Sequence, residues 1–175
     1  MDWVWTRVAP FAVGYALWPL LEYAIHGWLS HTFDTFVSPL HWQHHRFPHR
    51  VFTSPLAWVP SVAILYGLLA LTVGGPPAST ATMGVLAGFL HYEYVHWRIH
   101  FRLPTTPRQR LLRAHHLAHH FCNPNAYHGV TTTFWDRVFA TRPADHATDY
   151  AAVADRPPID GKSNLGALWP PRQAG

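Results

Sequence analysis

HWQHH, at residues 41–45, and HHLAHH, at 115–120, crowd imidazoles into two similar patches. His41, His44 and His45 form one HxxHH; His116, His119 and His120 form another. A histidine pair precedes each patch: His26 and His31 in HGWLSH, and His96 and His100 in HWRIH. Residues three or four apart share a helix face, so each HxxHH sets one imidazole a turn away from two others, and His96 and His100 project together. His26 and His31 are five apart and do not stack on a regular helix; their spacing requires a helix end or a local bulge. Ten imidazoles exceed the needs of one metal ion and suffice for two, and metal pairs ~3.5–4 Å apart are a known catalytic arrangement. Imidazole suits Zn, Cu, Fe and Ni alike, so the ligand type does not choose the metal.

The other residues able to join this chemistry are fewer. The 15 histidines outnumber the 13 Lys plus Arg and the 9 Asp plus Glu, and the single Cys122 excludes an internal disulfide framework or a Cys-based zinc finger. His91 points away from the face of His100, and His115 falls outside the HxxHH that His116 opens. His49 and His128 read as loop residues that support the ligands or touch substrate, and His146 as surface. A bound imidazole donates its other N–H to a carboxylate or carbonyl; Glu22, Glu93, Asp34, Asn123, Asn125 and Asp136 are the candidates by proximity in sequence.

The elements that must position these residues are apolar. Residues 56–75 carry no charge over about the length of ~20 residues that crosses a bilayer core. Residues 8–25 carry only Glu22, and 79–95 no formal charge before Glu93. Trp and Tyr crowd the segment ends, as in an interfacial aromatic belt. The first segment lacks a small-residue cleavage site and reads as a retained membrane segment that crosses once or, with Pro10, Gly14 and Pro19, bends back. GGPPAST, at 74–80, breaks the second and third segments into an antiparallel hairpin. Arg46 and Arg50 follow the first patch and Arg98, Arg102, Arg108, Arg110 and Arg113 lie before the second, which places both patches on the cytoplasmic side by the positive-inside rule. Arginines that flank membrane segments, beside the lone Lys162, argue against nucleic acid and for anionic lipid headgroups. The expected fold is therefore all-α: an integral membrane helical bundle of three to four membrane helices, with a cytoplasmic-side helical cap carrying the histidines. Residues 1–140 form this domain, and 141–175 read as a polar, Pro-rich, loosely ordered tail.

Taken together, the motifs resemble the fatty acid hydroxylase superfamily of membrane di-iron oxygenases, which also holds sterol desaturases and carotene hydroxylases. The resemblance runs from HGWLSH through HWQHH, HYEYVHWRIH and HHLAHHFCNPNAYHGVTTTFWDRVFAT, about two-thirds of the chain. The closing GVT…FWDxVF is more similar to the fatty acid 2-hydroxylase and sterol desaturase branch; the short length is similar to carotene hydroxylases. The resemblance implies metal ligation by His26, His31, His41, His44, His45, His96, His100, His116, His119 and His120. It also implies two Fe ions, with Zn able to replace them in a purified form, and O₂ as co-substrate. The sequence shows no fused cytochrome b5 motif, so a separate donor, cytochrome b5-like or a ferredoxin with its reductase, is expected to deliver electrons.

The expected activity is hydroxylation of a lipid C–H bond, a fatty acid or fatty acyl chain first, with carotenoid or sterol hydroxylation or desaturation as alternatives. Phe11, Tyr15, Leu86, Leu90 and Tyr94 are candidates to line a lipid path, and Arg46 or Arg113 to hold a carboxylate or headgroup. Two rivals come from other classes. A membrane protein that binds or moves metal ions needs polar groups at mid-membrane depth, where residues 56–75 offer only Ser61, Tyr66 and Thr72. A haem-binding electron carrier leaves most of the ten histidines without a purpose.

Overall fold

The computed structural model describes residues 3–163, and every regular element among them is helical. The chain opens on a π-helical turn, Val4–Val8, which runs into helix α1, Ala9–Tyr23, and on into a second π-helical stretch, Ala24–Thr32. Pro10 and Pro19 both lie within this run and are absorbed without a break. The first segment is thus one continuous helix, not a doubled-back one, and at 28 residues (Trp5–Thr32) it is long and apolar enough to cross a membrane.

The second candidate span is α3, Pro55–Val73, of 19 residues. The Ser54 side chain caps its start by accepting from Leu56 N–H, and Pro55 occupies its first position. Apolar side chains cover its outer face, among them Leu71 at 87% exposure, which suits lipid and not water. The sequence predicts a break across 74–80, but only Gly74 forms it, at φ 83°, and α4 (Gly75–Phe101) starts at once. Pro76 and Pro77 fit the first turn of α4, where no backbone N–H is needed. The third expected segment lies wholly within α4, whose 27 residues reach about 40 Å.

Glycines let α1 and α4 meet backbone to backbone. A Cβ on Gly14 would stand 2.1 Å from the Ala81 carbonyl oxygen, one on Gly84 2.1 Å from that of Phe11, and one on Gly88 2.3 Å from Trp18 Cβ. Small residues four apart (Gly84, Gly88) are a frequent device for close helix approach in a membrane, where helix contact rests on packing. Gly84→Leu is expected to destabilise the fold by at least ~1–3 kcal/mol, read as a lower midpoint of thermal unfolding in detergent. Gly67→Leu serves as the control, because a Cβ there meets nothing within 4 Å.

Beyond the membrane helices the chain builds a cap from α2 (Ser38–Arg46), α5 (Pro107–Phe121), α6 (Phe134–Val138) and α7 (His146–Val153). Thr106 caps α5 by accepting from Gln109 N–H at 3.2 Å. Ile99, Leu112, Leu117, Ala118, Tyr127, Val130 and Val153 form the cap core. The tail expected from residue 141 differs from the structure over α7. Val153 is buried against α5, and Tyr150 and Asp149 reach back into the cap. The polar average of this stretch conceals one short face, Tyr150 and Val153, that is apolar enough to dock. Residues 164–175 of the expected tail lie outside the described residues.

Candidate metal centre

The structure brings all ten histidines of the four motifs together in two groups of five. His26, His31, His41, His45 and His119 form one, and His44, His96, His100, His116 and His120 the other; within each, one ligand atom per residue lies within 4.8 Å of the rest. The π-helical stretch explains the five-residue pair. Ser30 Oγ and Thr32 Oγ1 donate to the carbonyls of Ile25 and Gly27, each five residues back, at 2.9 Å. This wider turn brings His31 round over His26, with ring centroids 5.3 Å apart.

Each HxxHH is divided between the groups. On α2, His41 and His45 serve the first and His44 the second; on α5, His116 and His120 serve the second and His119 the first. Helical geometry causes the split, since positions i and i+4 lie within about 40° of each other while i+3 lies about 60° to the other side. Spacing alone showed a shared face; it did not show that two sites flank it. His45 and His120 stack across the divide with ring centroids 4.3 Å apart.

The donor set fits a pair of transition-metal ions. His26 Nδ1 faces the His128 carbonyl, His119 Nδ1 the Ala126 carbonyl at 2.7 Å, and His44 Nδ1 the Arg50 carbonyl at 3.1 Å. A carbonyl oxygen only accepts, so these Nδ1 atoms carry the proton and the Nε2 atoms bear lone pairs. Yet His26 Nε2 and His119 Nε2 stand 3.0 Å apart. Two lone pairs aimed at each other that closely call for a cation between them. Burial first, with neighbouring imidazoles second, holds His41, His44, His116, His119 and His120 well below the ordinary 6.5 and His45 at about 4. The rings stay neutral at pH 7, the state a metal ligand needs.

A pH dependence follows. Below 6.5 the unfolded chain takes up protons that the folded rings refuse, so stability is full above that pH and falls on acidification through the interval down to about 4 that His45 sets. Thermal midpoints of metal-free protein between pH 7.5 and pH 5 are expected to decline steadily with acid. A flat profile would contradict the buried, neutral cluster.

Three carboxylates hold the frame, though none touches the ten rings. Glu22 accepts from the N–H groups of Val130 and Thr131 and from Thr131 Oγ1. Asp136 accepts from His128 N–H at 2.7 Å, Gly129 N–H at 2.9 Å and Thr141 Oγ1 at 2.8 Å. Together they clamp the loop whose Ala126 and His128 carbonyls orient His119 and His26. This accounts for the closing GVT…FWDxVF motif: Asp136 is its acid, and a Cβ on Gly129 would lie 2.0 Å from the Thr132 oxygen and 2.7 Å from Asp136 Oδ2. Glu93 accepts from Thr53 N–H and Oγ1 and fixes the loop that follows the His44-orienting carbonyl of Arg50. Glu93 and His96 stand at Glu-x-x-His spacing, but Glu93 bonds Thr53 while His96 Nε2 lies 3.0 Å from His44 Nε2. Of the remaining candidates Asp34 is exposed, and Asn123 Oδ1 accepts from Asn125 N–H.

The minor histidines find separate places. His115, fully buried and outside both groups, donates from Nε2 to Asp136 at 3.0 Å and accepts at Nδ1 from Tyr150 OH. Burial alone raises the Asp136 carboxyl, but His115, Thr141 and Gly129 outweigh it and hold it below its ordinary range. His91 meets Tyr15 OH on the outer surface, and His146 meets the Pro143 carbonyl.

A cavity of about 520 Å³ runs from His26, His41, His44 and His96 between α1, α3 and α4. Its far walls are apolar: Val62, Leu65, Val85, Leu86 and Phe89. Of the five residues expected on a lipid path, only Leu86 lines it. Phe11, Tyr15, Leu90 and Tyr94 face outward at 40–66% exposure, because the cavity follows the α3-facing side of α1 and α4. Neither Arg46 nor Arg113 lines it; the cavity's arginine is Arg50, which donates to Gln43 Oε1 at 3.2 Å, with His49 beside it.

Known proteins agree with this arrangement. The family model for fatty acid hydroxylase matches residues 11–141. A dihydroceramide fatty acyl 2-hydroxylase, FAH2, of Arabidopsis thaliana is 33% identical over 75% of this chain and 60% of its own length. The ceramide very long chain fatty acid hydroxylase SCS7 of Saccharomyces cerevisiae is 34% identical over 75% of this chain and 37% of its own. Fatty acid 2-hydroxylase of Homo sapiens is 30% identical over 75% and 38%. The chain therefore spans roughly four- to six-tenths of the length of these relatives. The solved structure of full-length Scs7p, with only its hydroxylase domain visible, superposes with a TM-score of 0.70 at 32% identity over 81% of this chain and 57% of that one. Profile, relatives and superposed fold concur: the chain belongs to the fatty acid hydroxylase family.

Proposed function

We propose that the protein is a membrane monooxygenase that hydroxylates a fatty acyl chain close to its carbonyl end, using O₂ and electrons from a separate donor, cytochrome b5-like or a ferredoxin with its reductase. One observation carries the reading: the cavity joins both histidine groups to an apolar interior between the membrane helices. The ten histidines are the ligands of two iron ions, which when bound supply the O₂-activating chemistry. The oxygenase unit expected over residues 1–140 extends through α7, with α4 as a third membrane helix and the histidine cap toward the cytoplasm.

The chain's own residues then do three things. The carbonyls of Ala126, His128 and Arg50 fix the tautomers of His119, His26 and His44, so that the lone pairs point inward. The apolar walls from Ala57 to Leu65, about 12 Å of α3, hold the acyl tail and keep water from a reactive centre. Gln43 and Arg50, next to His44, receive the polar end of the substrate and leave the first chain carbons beside the histidines. Names ending in 2-hydroxylase among the relatives support that register.

Mass spectrometry of lipids from cells that co-express the protein with cytochrome b5 and its reductase tests this. Acyl chains that gain one oxygen, located by fragmentation at carbon 2, are the expected product. Leu65→Trp, which fills the far end of the cavity, is expected to shift products toward shorter chains. Oxygenated carotenoids or sterols without oxygenated acyl chains would overturn the substrate assignment.

A further inference from the structure

We infer that the junction of α4 and α5 holds a second ligand site, for the phosphate of an anionic phospholipid headgroup. A pocket of about 200 Å³ opens there, lined by Arg98, Arg102, Arg108 and Arg113, and no carboxylate is among its lining residues. Four arginines lining so small a space concentrate positive charge that an anion would offset, although Arg108 Nη2 also donates to the Thr131 carbonyl at 3.3 Å. Arg113 is only 4% exposed; its Nη2 donates to the Arg156 carbonyl at 2.8 Å, while its buried Nε has no hydrogen-bond partner. A buried guanidinium with an orphan donor and no ion-pair partner among the described residues is a costly arrangement.

The surroundings are also short of acceptors. Gln109 Oε1 receives Thr105 N–H at 2.8 Å, Thr105 Oγ1 at 2.9 Å and Arg98 Nη2 at 3.2 Å, which is three donors on an oxygen with two lone pairs. The first turn of α5 adds the positive end of its dipole. A phosphate supplies several acceptor oxygens and the missing negative charge at once, and guanidinium is the side chain that matches it. The location says whose phosphate it is. Arg102 lies over the Trp97 ring at 4.9 Å, and Tyr94 and Leu103 are exposed beside the pocket, the aromatic and apolar setting of a membrane interface.

The test compares binding of phosphatidylglycerol and phosphatidylcholine, each doped into uncharged detergent micelles, to purified full-length protein. The wild type is expected to prefer phosphatidylglycerol by an order of magnitude or more, at about fivefold per arginine near the surface. R98Q/R108Q, which leaves buried Arg113 in place, is expected to lose most of that preference. R110Q/R137Q removes the same charge from arginines that do not line the pocket and is expected to keep it. Equal losses in the two variants, or no preference in the wild type, would overturn the site. So would tight binding of inorganic phosphate, dependent on Arg98 and Arg108, with no preference between the two lipids.

Discussion

His119→Ala is expected to empty the first histidine group and abolish hydroxylation while the second group keeps its metal. His119 Nε2 lies 3.0 Å from both His26 Nε2 and His45 Nε2, and its ring is fully buried and fixed by the Ala126 carbonyl. The nearest imidazole outside its group, His128, has its ring centroid 5.5 Å from that of His119. Loss of a partner that merely orients a ligand costs 10–100-fold in metal affinity or activity, so loss of the ligand itself is expected to cost more than about a hundredfold. Iron content per chain, measured on purified protein, should fall by half. His120→Ala should give the mirror result, because His120 belongs to the other group. Full iron content in both variants would show that the groups are not metal sites.

The second large effect is expected at Asp136, a residue that touches neither group. Asp136→Asn places an NH₂ where the carboxylate now accepts from His128 N–H, Gly129 N–H, Thr141 Oγ1 and His115. One buried donor must then face another, and the His115 Nε2–H loses the charged acceptor it now meets at 3.0 Å. Removing one partner of a buried pair destabilises by ~3–5 kcal/mol. The first group is expected to lose metal to a chelator about 10–100 times more readily, since the loop that orients His26 and His119 is released. Glu93→Gln makes the comparison specific. Its carboxylate holds Thr53, on the loop beyond Arg50 and His44, so it should loosen the second group and spare the first. Equal loss from both groups in both variants would reduce these carboxylates to general stabilisers.

The four histidine motifs were legible because imidazole is rare, its helical spacing is short-range, and a five-residue gap can satisfy a shared site only where the helix widens, as it does at Ala24–Thr32. The hairpin of the second and third segments was legible from composition, apart from its turn, which shrank from seven residues to Gly74 because prolines fit a helix start. The division of each HxxHH between two groups was not legible, since periodicity gives a face and not what flanks it. Nor were the tasks of Glu22, Glu93 and Asp136. Each acts on a loop distant in sequence, as Glu22 does on Val130 and Thr131. The lipid path was misplaced for a related reason: helix faces were known, but α3 decides which of them encloses space.

The one-residue link at Gly74 has a consequence for traffic. Thr6 and Thr80 meet at the same end of the bundle, so that end presents helix starts and a tight reversal, with no loop between α3 and α4 to receive a visitor. The opposite end carries the whole cap. On the proposed function, a reductant protein, an arriving metal ion and the polar end of a substrate would all approach at that end. A donor that docked over the cap while a headgroup occupied Arg50 would have to leave room for it. On that reading, turnover on this scaffold would be a matter of taking turns at one end of the bundle.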